Sequence, residues 1–150
     1  MKAAIVYFSK HHQNTFKLVK AISDKYGADL IDVSAEPKCD LRDYDVIGFA
    51  SGIYYSKFHK QVISCAENCL PKNKKVFSVY TYSAFRKGYT NAIMNVLKEK
   101  NAAYLGEYNC PGFNTFGPFK LLGGIKKGRP NNSDISGAIK FFGGIAEKSS

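Results

Sequence analysis

Seven consecutive polar residues, "SKHHQNT" at positions 9–15, separate an apolar, strand-like run from a segment with helical spacing. The segment therefore forms a loop that leads into a helix, where unpaired N–H groups and the helix dipole favour an anion. Ser9, Asn14 and Thr15 carry hydrogen-bond donors, and the two histidines between them gain charge when protonated. We expect this loop to bind a phosphate group. The alternative is that Asn14 or Thr15 only caps the helix.

Two aromatic segments also follow predicted strands. "ASGIYYSKF" places Tyr54 and Tyr55 after a turn of small residues, and "TYSAFRKGY" contains Tyr82 and Phe85. Aromatic rings gain about 1 kcal/mol from stacking beyond the area that they bury. Beside a phosphate loop, they would suit a flat aromatic ligand with a phosphate tail. Tyrosines at strand ends are also often ordinary core or rim residues, and this interpretation stays open.

Short apolar runs rich in β-branched and aromatic residues predict the strands that position these loops. Amphipathic helical patterns lie between most of them. Such alternation predicts an α/β fold in which helices cover both faces of a doubly wound parallel sheet. In that fold, ligands bind beyond the carboxyl ends of the strands, where the three loops would meet. The predicted strands span 3–8, 28–33, 45–50, 75–82 and 103–108, and the helical patterns span 15–26, 58–69, 89–97 and 135–145.

Two connections do not follow the alternation. Residues 34–44 are too short and too polar for a full helix, so we expect a loop or a turn or two of helix there. Residues 109–132 are rich in glycine and proline, and a loop of this length in a compact domain is usually functional or disordered. Phenylalanines within it favour packing against another part of the protein.

The chain has 150 residues, of which 45% are hydrophobic and 23% are charged, as expected for one globular domain over 1–150. No apolar run approaches the ~20 residues that span a bilayer, and no secretory signal is evident. We therefore expect a cytoplasmic protein without membrane contact.

The formal net charge of +10 comes mainly from lysine, since only three arginines are present. A positive field favours acidic partners and accelerates their encounter. Base recognition relies on arginine and clustered basic helices, so nucleic acid is not the expected partner.

The four cysteines, Cys39, Cys65, Cys69 and Cys110, form no C-x-x-C pair and have no histidine at zinc spacing. They predict reduced, mostly buried thiols and no metal site. Cys65 and Cys69 would share one helix face, which is poor geometry for a disulfide.

Together, these loops and elements resemble the short-chain flavodoxins over the whole chain. The family's phosphate loop has the form [ST]-x-[ST]-G-N-T; "SKHHQNT" keeps Ser9, Asn14 and Thr15, with one extra residue and no glycine. It resembles the histidine-containing variants of this loop in flavodoxin-like proteins. The resemblance implies an FMN-binding domain with a five-stranded parallel sheet in the order 2-1-3-4-5.

By this resemblance, the first loop would bind the FMN phosphate, the second and third would lie against the two sides of the isoalloxazine, and residues after the last strand would close the pocket. The candidate cofactor-binding residues are Ser9, Lys10, His11, His12, Asn14, Thr15, Ser51, Gly52, Ile53, Tyr54, Tyr55, Thr81, Tyr82, Ser83, Ala84, Phe85, Cys110 and Gly112.

Two departures from the family have consequences. Flavodoxins usually place a glycine where Tyr55 lies, and its peptide flip stabilises the flavin semiquinone; tyrosine cannot rotate as freely. Flavodoxins are also typically acidic, whereas a chain of charge +10 should choose acidic redox partners.

Three functions are compatible with the sequence. The first is an FMN-dependent electron carrier, in which no protein side chain acts as acid or base. The second is a flavin-dependent reductase of quinones or similar acceptors that uses NAD(P)H. The third is a flavin-free basic binding module on the same fold, because fold alone does not fix function.

Overall fold

The computed structural model describes residues 1–10, 13–113 and 128–149. In these ranges, strands and helices alternate through most of the chain, as the sequence patterns predict. The elements are β1 (Ala3–Phe8), α1 (Asn14–Tyr26), β2 (Asp29–Asp32), β3 (Val46–Tyr54), β4 (Lys57–Phe58), α2 (Lys60–Cys69), β5 (Lys75–Tyr82), α3 (Asn91–Glu99), β6 (Ala103–Pro111) and α4 (Asn132–Ser149).

The main sheet is parallel and has the strand order β2-β1-β3-β5-β6. The two-residue strand β4 pairs antiparallel with the end of β3 and lies off this path. With β4 set aside, the order is the expected 2-1-3-4-5, so the predicted fold class is confirmed. The strand order reverses between β1 and β3, and the ends of these strands therefore flank the site that this fold offers to a ligand.

Alternate side chains along the strands fill two separate cores, one on each face of the sheet. In β1, Val6 belongs to the core beneath α2 and α3, whereas Ile5 belongs to the core beneath α1 and α4. Both side chains are fully buried. This arrangement explains why the sequences of the central strands β1, β3 and β5 are apolar without strict alternation, because helices cover both of their faces.

The strands that bear the site continue beyond the apolar runs. The prediction ended the third strand at position 50, but β3 extends to Tyr54, since Gly52 pairs with Thr81 of β5 and the last residues pair with β4. Similarly, β6 continues to Pro111 rather than ending at position 108. These strand ends contain polar residues or glycine, so hydrophobicity alone does not predict that they continue the strands.

No helix forms in the connection at 34–44, in agreement with the sequence. It is anchored by Leu41, which is fully buried, and by the Lys74 ammonium, which donates to the backbone carbonyls of Arg42 and Tyr44 at 2.7 and 2.8 Å.

The long loop predicted at 109–132 is shorter than expected at both ends, since β6 continues to Pro111 and α4 begins at Asn132. Its first residues belong to β6, and residues 114–127 lie outside the described ranges.

Side-chain hydrogen bonds hold the start of α4. The Arg129 guanidinium donates to both carboxylate oxygens of Asp134 at 2.5 and 2.8 Å. Asn131 and Asp134 exchange two further hydrogen bonds in a capping box at the start of α4. Hydrogen bonding to Arg129 lowers the pKa of the Asp134 carboxyl.

None of the described helices is long and apolar enough to cross a membrane.

Candidate functional site

A cleft of about 340 Å³ lies at the carboxyl ends of β1, β3 and β5. Pockets that bind small ligands begin at about this size. Each of the three loops predicted to meet here contributes to the cleft, and the segment after β6 completes it. The described residues that line it are Ser9, Lys10, Asn14, Thr15, Gly52, Ile53, Tyr54, Tyr55, Thr81, Tyr82, Ser83, Gly112 and Phe113.

The polar end of the cleft is the start of α1. Gln13 precedes the helix with a φ of 52°, and its side chain does not cap the helix. The Ser9 hydroxyl accepts a hydrogen bond from the Phe16 N–H at 3.1 Å, which leaves the hydroxyl proton available for another acceptor. The N–H groups of Asn14 and Thr15 have no acceptor within the helix. This end of the cleft can therefore hold an anion.

The side chains of Asn14 and Thr15 do not cap the helix, contrary to the simpler alternative. The Thr15 hydroxyl is buried and hydrogen-bonds to the Thr81 hydroxyl at 2.9 Å, which ties α1 to the end of β5. The Asn14 Nδ2 donates to the Phe113 carbonyl at 2.8 Å. These side chains hold three elements around the polar end of the cleft.

Asn14 also carries a buried acceptor without a partner. Among the described residues, no group donates to its Oδ1. The close approach of Asn14 depends on Gly112, because a Cβ at position 112 would lie 2.5 Å from Asn14 Nδ2 and 2.9 Å from its Cγ. A buried unpaired acceptor costs about 1–3 kcal/mol, so a ligand with a hydroxyl or N–H donor would be favoured here.

One wall of the cleft is the hairpin between β3 and β4. Its two turn residues, Tyr55 and Ser56, have φ values of 51° and 66°. Positive φ at both positions is the signature of a type I′ turn, which usually requires glycine or asparagine. The turn presents Tyr55 with 92% of its surface exposed. Among the described residues that line the cleft, Tyr55 has the most exposed aromatic ring.

Aromatic contacts brace the same wall. Phe8 at the end of β1 stacks on the His59 imidazole, with ring centroids 3.6 Å apart, and Tyr54 meets both rings edge-on. His59 Nδ1 accepts a hydrogen bond from the Gln61 N–H at the start of α2. Burial, together with the charges of Lys60 and Lys10, lowers the pKa of His59. The imidazole is therefore neutral at pH 7 and acts as a packing and capping group.

The opposite wall comes from the ends of β5 and β6. Tyr82 is half-buried and lies edge-on to Phe85 at 5.5 Å, and burial raises the pKa of its phenol. The Gly112 N–H donates to the Tyr82 carbonyl at 2.9 Å, which holds the β6 end against this wall. Rings from the β3–β4 hairpin and from the end of β5 therefore both line the cleft, where a flat ligand can contact them.

No protein-family model matches the chain. It is 38% identical over 143 residues to Uncharacterized protein MJ0298 of Methanocaldococcus jannaschii, covering 94% of this chain and 95% of the relative. The chain belongs to the MJ0298 family. This relationship spans nearly the whole length of both proteins.

Solved structures with low sequence identity share the fold of this MJ0298 family member. A flavodoxin from the domain Archaea has a TM-score of 0.60 at 14% identity, with 98% of each chain covered. Flavodoxin 2 from Bacillus cereus has a TM-score of 0.64 at 16% identity, with 99% of each covered. The rubredoxin oxygen:oxidoreductase of Desulfovibrio gigas has a TM-score of 0.72 at 14% identity, and 98% of this chain matches 35% of that one. The fold is flavodoxin-like.

Four residues predicted for the site lie outside the lining of the cleft. Ser51 is fully buried; its hydroxyl donates to the Gly52 carbonyl and accepts from the His59 N–H. Cys110 is buried in the core beneath α1 and α4, because it occurs within β6. Ala84 and Phe85 are exposed beyond the cleft, and the Ala84 carbonyl accepts from the Tyr89 hydroxyl.

Two further candidates, His11 and His12, lie outside the described residues. Phe113 was not predicted for the site, but it lines the cleft and its carbonyl accepts a hydrogen bond from Asn14 Nδ2. Its only signal was its place among the aromatic residues of the 109–132 segment.

Proposed function

We propose that this MJ0298 family member binds FMN in the cleft and acts as an electron carrier. The observation that carries the proposal is the convergence on one cleft of a helix start that its N-cap side chain does not cap, a buried unpaired acceptor and aromatic residues from two loops. The flavodoxin-like fold places such a cleft at the strand-order reversal, and the names of two structural neighbours identify them as flavodoxins.

The polar end fits the phosphate and ribityl groups of FMN. The start of α1, the Ser9 hydroxyl and the Lys10 side chain supply donors and positive charge for a phosphate dianion. The Asn14 Oδ1 needs a donor, and a ribityl hydroxyl provides one, whereas a phosphate oxygen does not. We therefore assign Asn14 to the sugar chain and Ser9 with the helix start to the phosphate.

The aromatic walls fit the isoalloxazine. Tyr55 would lie against one face of the ring system and Tyr82 against the other, with backbone groups of Gly52 and Ser83 near its polar edge. When bound, FMN supplies one- or two-electron redox chemistry, and the protein contributes stacking, phosphate binding and charge. Burial raises the pKa of Tyr82, in keeping with a stacking role in which its phenol exchanges no proton.

Charge around the cleft favours an acidic redox partner. The segments 9–15, 51–60 and 81–90 contain no aspartate or glutamate. Basic side chains on them are exposed to solvent: Lys10, Lys57, Lys60, Arg86 and Lys87. Such a rim attracts acidic proteins, and it stabilises negative charge on the reduced cofactor, which raises its reduction potential.

The decisive experiment is FMN titration of the purified protein, followed by flavin absorbance and quenching of flavin fluorescence. We expect one FMN per chain and much weaker binding of riboflavin, which lacks the phosphate. Substitution of Ser9 by alanine should weaken FMN binding and leave riboflavin binding nearly unchanged. Failure to bind FMN would refute the proposal.

A second assay separates a carrier from an enzyme. A carrier reduced by dithionite passes electrons to an acceptor protein but does not oxidise NADPH by itself. The alternative, an NAD(P)H:quinone-type reductase, is suggested by a structural neighbour named NADPH-quinone reductase, from P. pentosaceus, which has a TM-score of 0.60 at 9% identity. Steady NADPH oxidation by the FMN-loaded protein and a quinone would favour that alternative.

A further inference from the structure

Three cysteine side chains that are separated in the sequence converge in the structure. Cys39 lies in the connection before β3, whereas Cys65 and Cys69 are one helical turn apart on α2. The sulfur atoms of Cys39 and Cys65 are 3.4 Å apart, and all three sulfurs lie within 4.8 Å of one another. The cluster was not predicted, because Cys39 is 26 residues from Cys65 and no short spacing motif joins them.

The cluster is separate from the cleft. None of its cysteines is among the residues that line the cleft. The helix α2 follows the β3–β4 hairpin, starts at Lys60 and ends at Cys69, about 13 Å further along at 1.5 Å per residue. Cys65 is buried in the core beneath α2 and α3, whereas Cys39 and Cys69 are partly exposed at the rim of that core. A small ion can therefore reach the sulfurs from solvent.

The spacing suits one metal ion bound by several sulfurs. A zinc–thiolate bond is about 2.3 Å long, so two thiolates on a tetrahedral ion lie roughly 3.8 Å apart. The Cys39–Cys65 separation of 3.4 Å and the 4.8 Å limit on the other two lie on either side of this value. An iron–sulfur cluster binds its cysteines to different iron atoms and needs a wider arrangement.

We propose that Cys39, Cys65 and Cys69 form a binding site for one thiophilic metal ion, Zn²⁺ or Cu⁺. Soft thiolate ligands select these ions over Mg²⁺, Ca²⁺ or Mn²⁺. Among the described residues, no histidine, aspartate or glutamate joins the three sulfurs within the same distance. Three thiolates suffice for trigonal Cu⁺, and a solvent molecule completes a tetrahedral Zn²⁺ site. On binding, each thiol releases its proton to solvent and a metal–sulfur bond replaces the S–H bond, with no change of oxidation state.

The bound ion would link the connection at residues 34–44 to α2. Residues 34–44 form no helix of their own, and Cys39 is the point at which this connection meets α2. A metal bound there would link the segment before β3 to the helix after it. We therefore expect the ion to raise the melting temperature without being required for folding, since both hydrophobic cores are complete without it.

Cobalt is the first probe. Reduced protein, with or without FMN, is titrated with Co²⁺ under anaerobic conditions, and near-ultraviolet absorption from thiolate-to-cobalt charge transfer is recorded. We expect saturation at one Co²⁺ per chain and displacement by one equivalent of Zn²⁺. A parallel competition with a chromophoric Cu⁺ chelator measures Cu⁺ binding and distinguishes the two ions. Binding of either ion through the cysteines supports the proposal.

Single cysteine variants test the assignment. Cys39→Ser and Cys69→Ser alter partly exposed positions, so these variants should fold even if Cys65→Ser does not. Each should bind the preferred ion at least about 100-fold more weakly, because loss of an outer-shell partner alone costs 10–100-fold. Cys110→Ala is the matched control, since Cys110 is a buried thiol outside the cluster and its loss should not change metal affinity.

Three results would overturn the proposal. The first is that reduced protein takes up neither ion, and the second is that uptake occurs without thiolate-to-metal absorption. The third is that Cys39→Ser and Cys69→Ser bind as tightly as Cys110→Ala. The cysteines would then be ordinary core residues. Because the metal assay does not depend on FMN, its failure would leave the proposal for the cleft standing.

Discussion

Substitution of Tyr55 by alanine tests whether the exposed ring on the hairpin covers the flavin. Tyr55 is 92% exposed, so nearly all the surface that it would bury is available to a ligand. A fully buried aromatic side chain hides about 150–250 Å², and one ring face on a flavin hides about a third of that. At ~25 cal/mol per Å² this contributes about 1.3–2.1 kcal/mol. Stacking adds about 1 kcal/mol, and ordering the side chain costs about as much.

The net contribution of about 1.3–2.1 kcal/mol predicts that Tyr55→Ala raises the Kd for FMN about 10- to 30-fold. The assay is FMN titration by fluorescence quenching, with thermal unfolding of the ligand-free variant as a check that it folds. Tyr55→Phe keeps the ring and should bind within about threefold of the parent. Phe85→Ala is the matched control, because Phe85 is 56% exposed on the next loop but does not line the cleft. If Tyr55→Ala and Phe85→Ala bind FMN equally well, the ring at position 55 does not contact the flavin.

Three further predictions concern the supports of the cleft and of α4. Gly112→Ala should displace the Asn14 side chain and weaken the binding of FMN and of riboflavin alike, because both ligands carry the ribityl chain to which Asn14 is assigned, and a crystal structure with Asn14 unmoved would contradict this. Thr15→Val or Thr81→Val alone should destabilise the protein by about 1–3 kcal/mol in urea unfolding by stranding the other hydroxyl, whereas the double variant should lose less than the sum. The folded-state pKa of Asp134 is lowered, so its stabilisation is present above about pH 4 and lost as pH falls through that pKa. Asp134→Asn should therefore lower the melting temperature at neutral pH but much less in acid, and an equal loss at both would refute this account.

The sheet could be predicted because its strands are buried on both faces. A short run such as residues 75–82 is rich in apolar, β-branched and aromatic residues, which is typical of a central strand in a parallel sheet. The ends of β3 and β6 could not be predicted in this way. Gly52, Tyr54 and Cys110 gain their places from pairing with neighbouring strands, and that pairing is not visible in local hydrophobicity.

The candidate site was predictable where one loop supplies several groups. Ser9, Asn14 and Thr15 all line the cleft, because a strand and a helix fix both ends of their short loop. Prediction was weaker where the direction of a side chain determines whether the residue lines the cleft. Ser51 points away from the cleft to brace the hairpin, and Phe113 reaches it through contacts with a residue 99 positions away.

The turn at Tyr55 and Ser56 shows a different limit. The sequence analysis treated Tyr55 as a less mobile replacement for glycine, and the structure places it in a conformation with positive φ that glycine would adopt without strain. Composition alone does not reveal that two adjacent non-glycine residues accept this geometry, since the pairing of β3 with β4 imposes it.

Contacts within the protein itself already join the segments around the cleft. Asn14 reaches the Phe113 carbonyl, Thr15 reaches Thr81, and the ring of Phe8 rests on an imidazole from the neighbouring strand connection. An incoming ligand therefore does not have to immobilise this backbone, which would otherwise cost about 1–2 kcal/mol for each residue ordered. Association should accordingly follow a single exponential phase whose rate rises linearly with ligand concentration, without a slower rearrangement after the encounter.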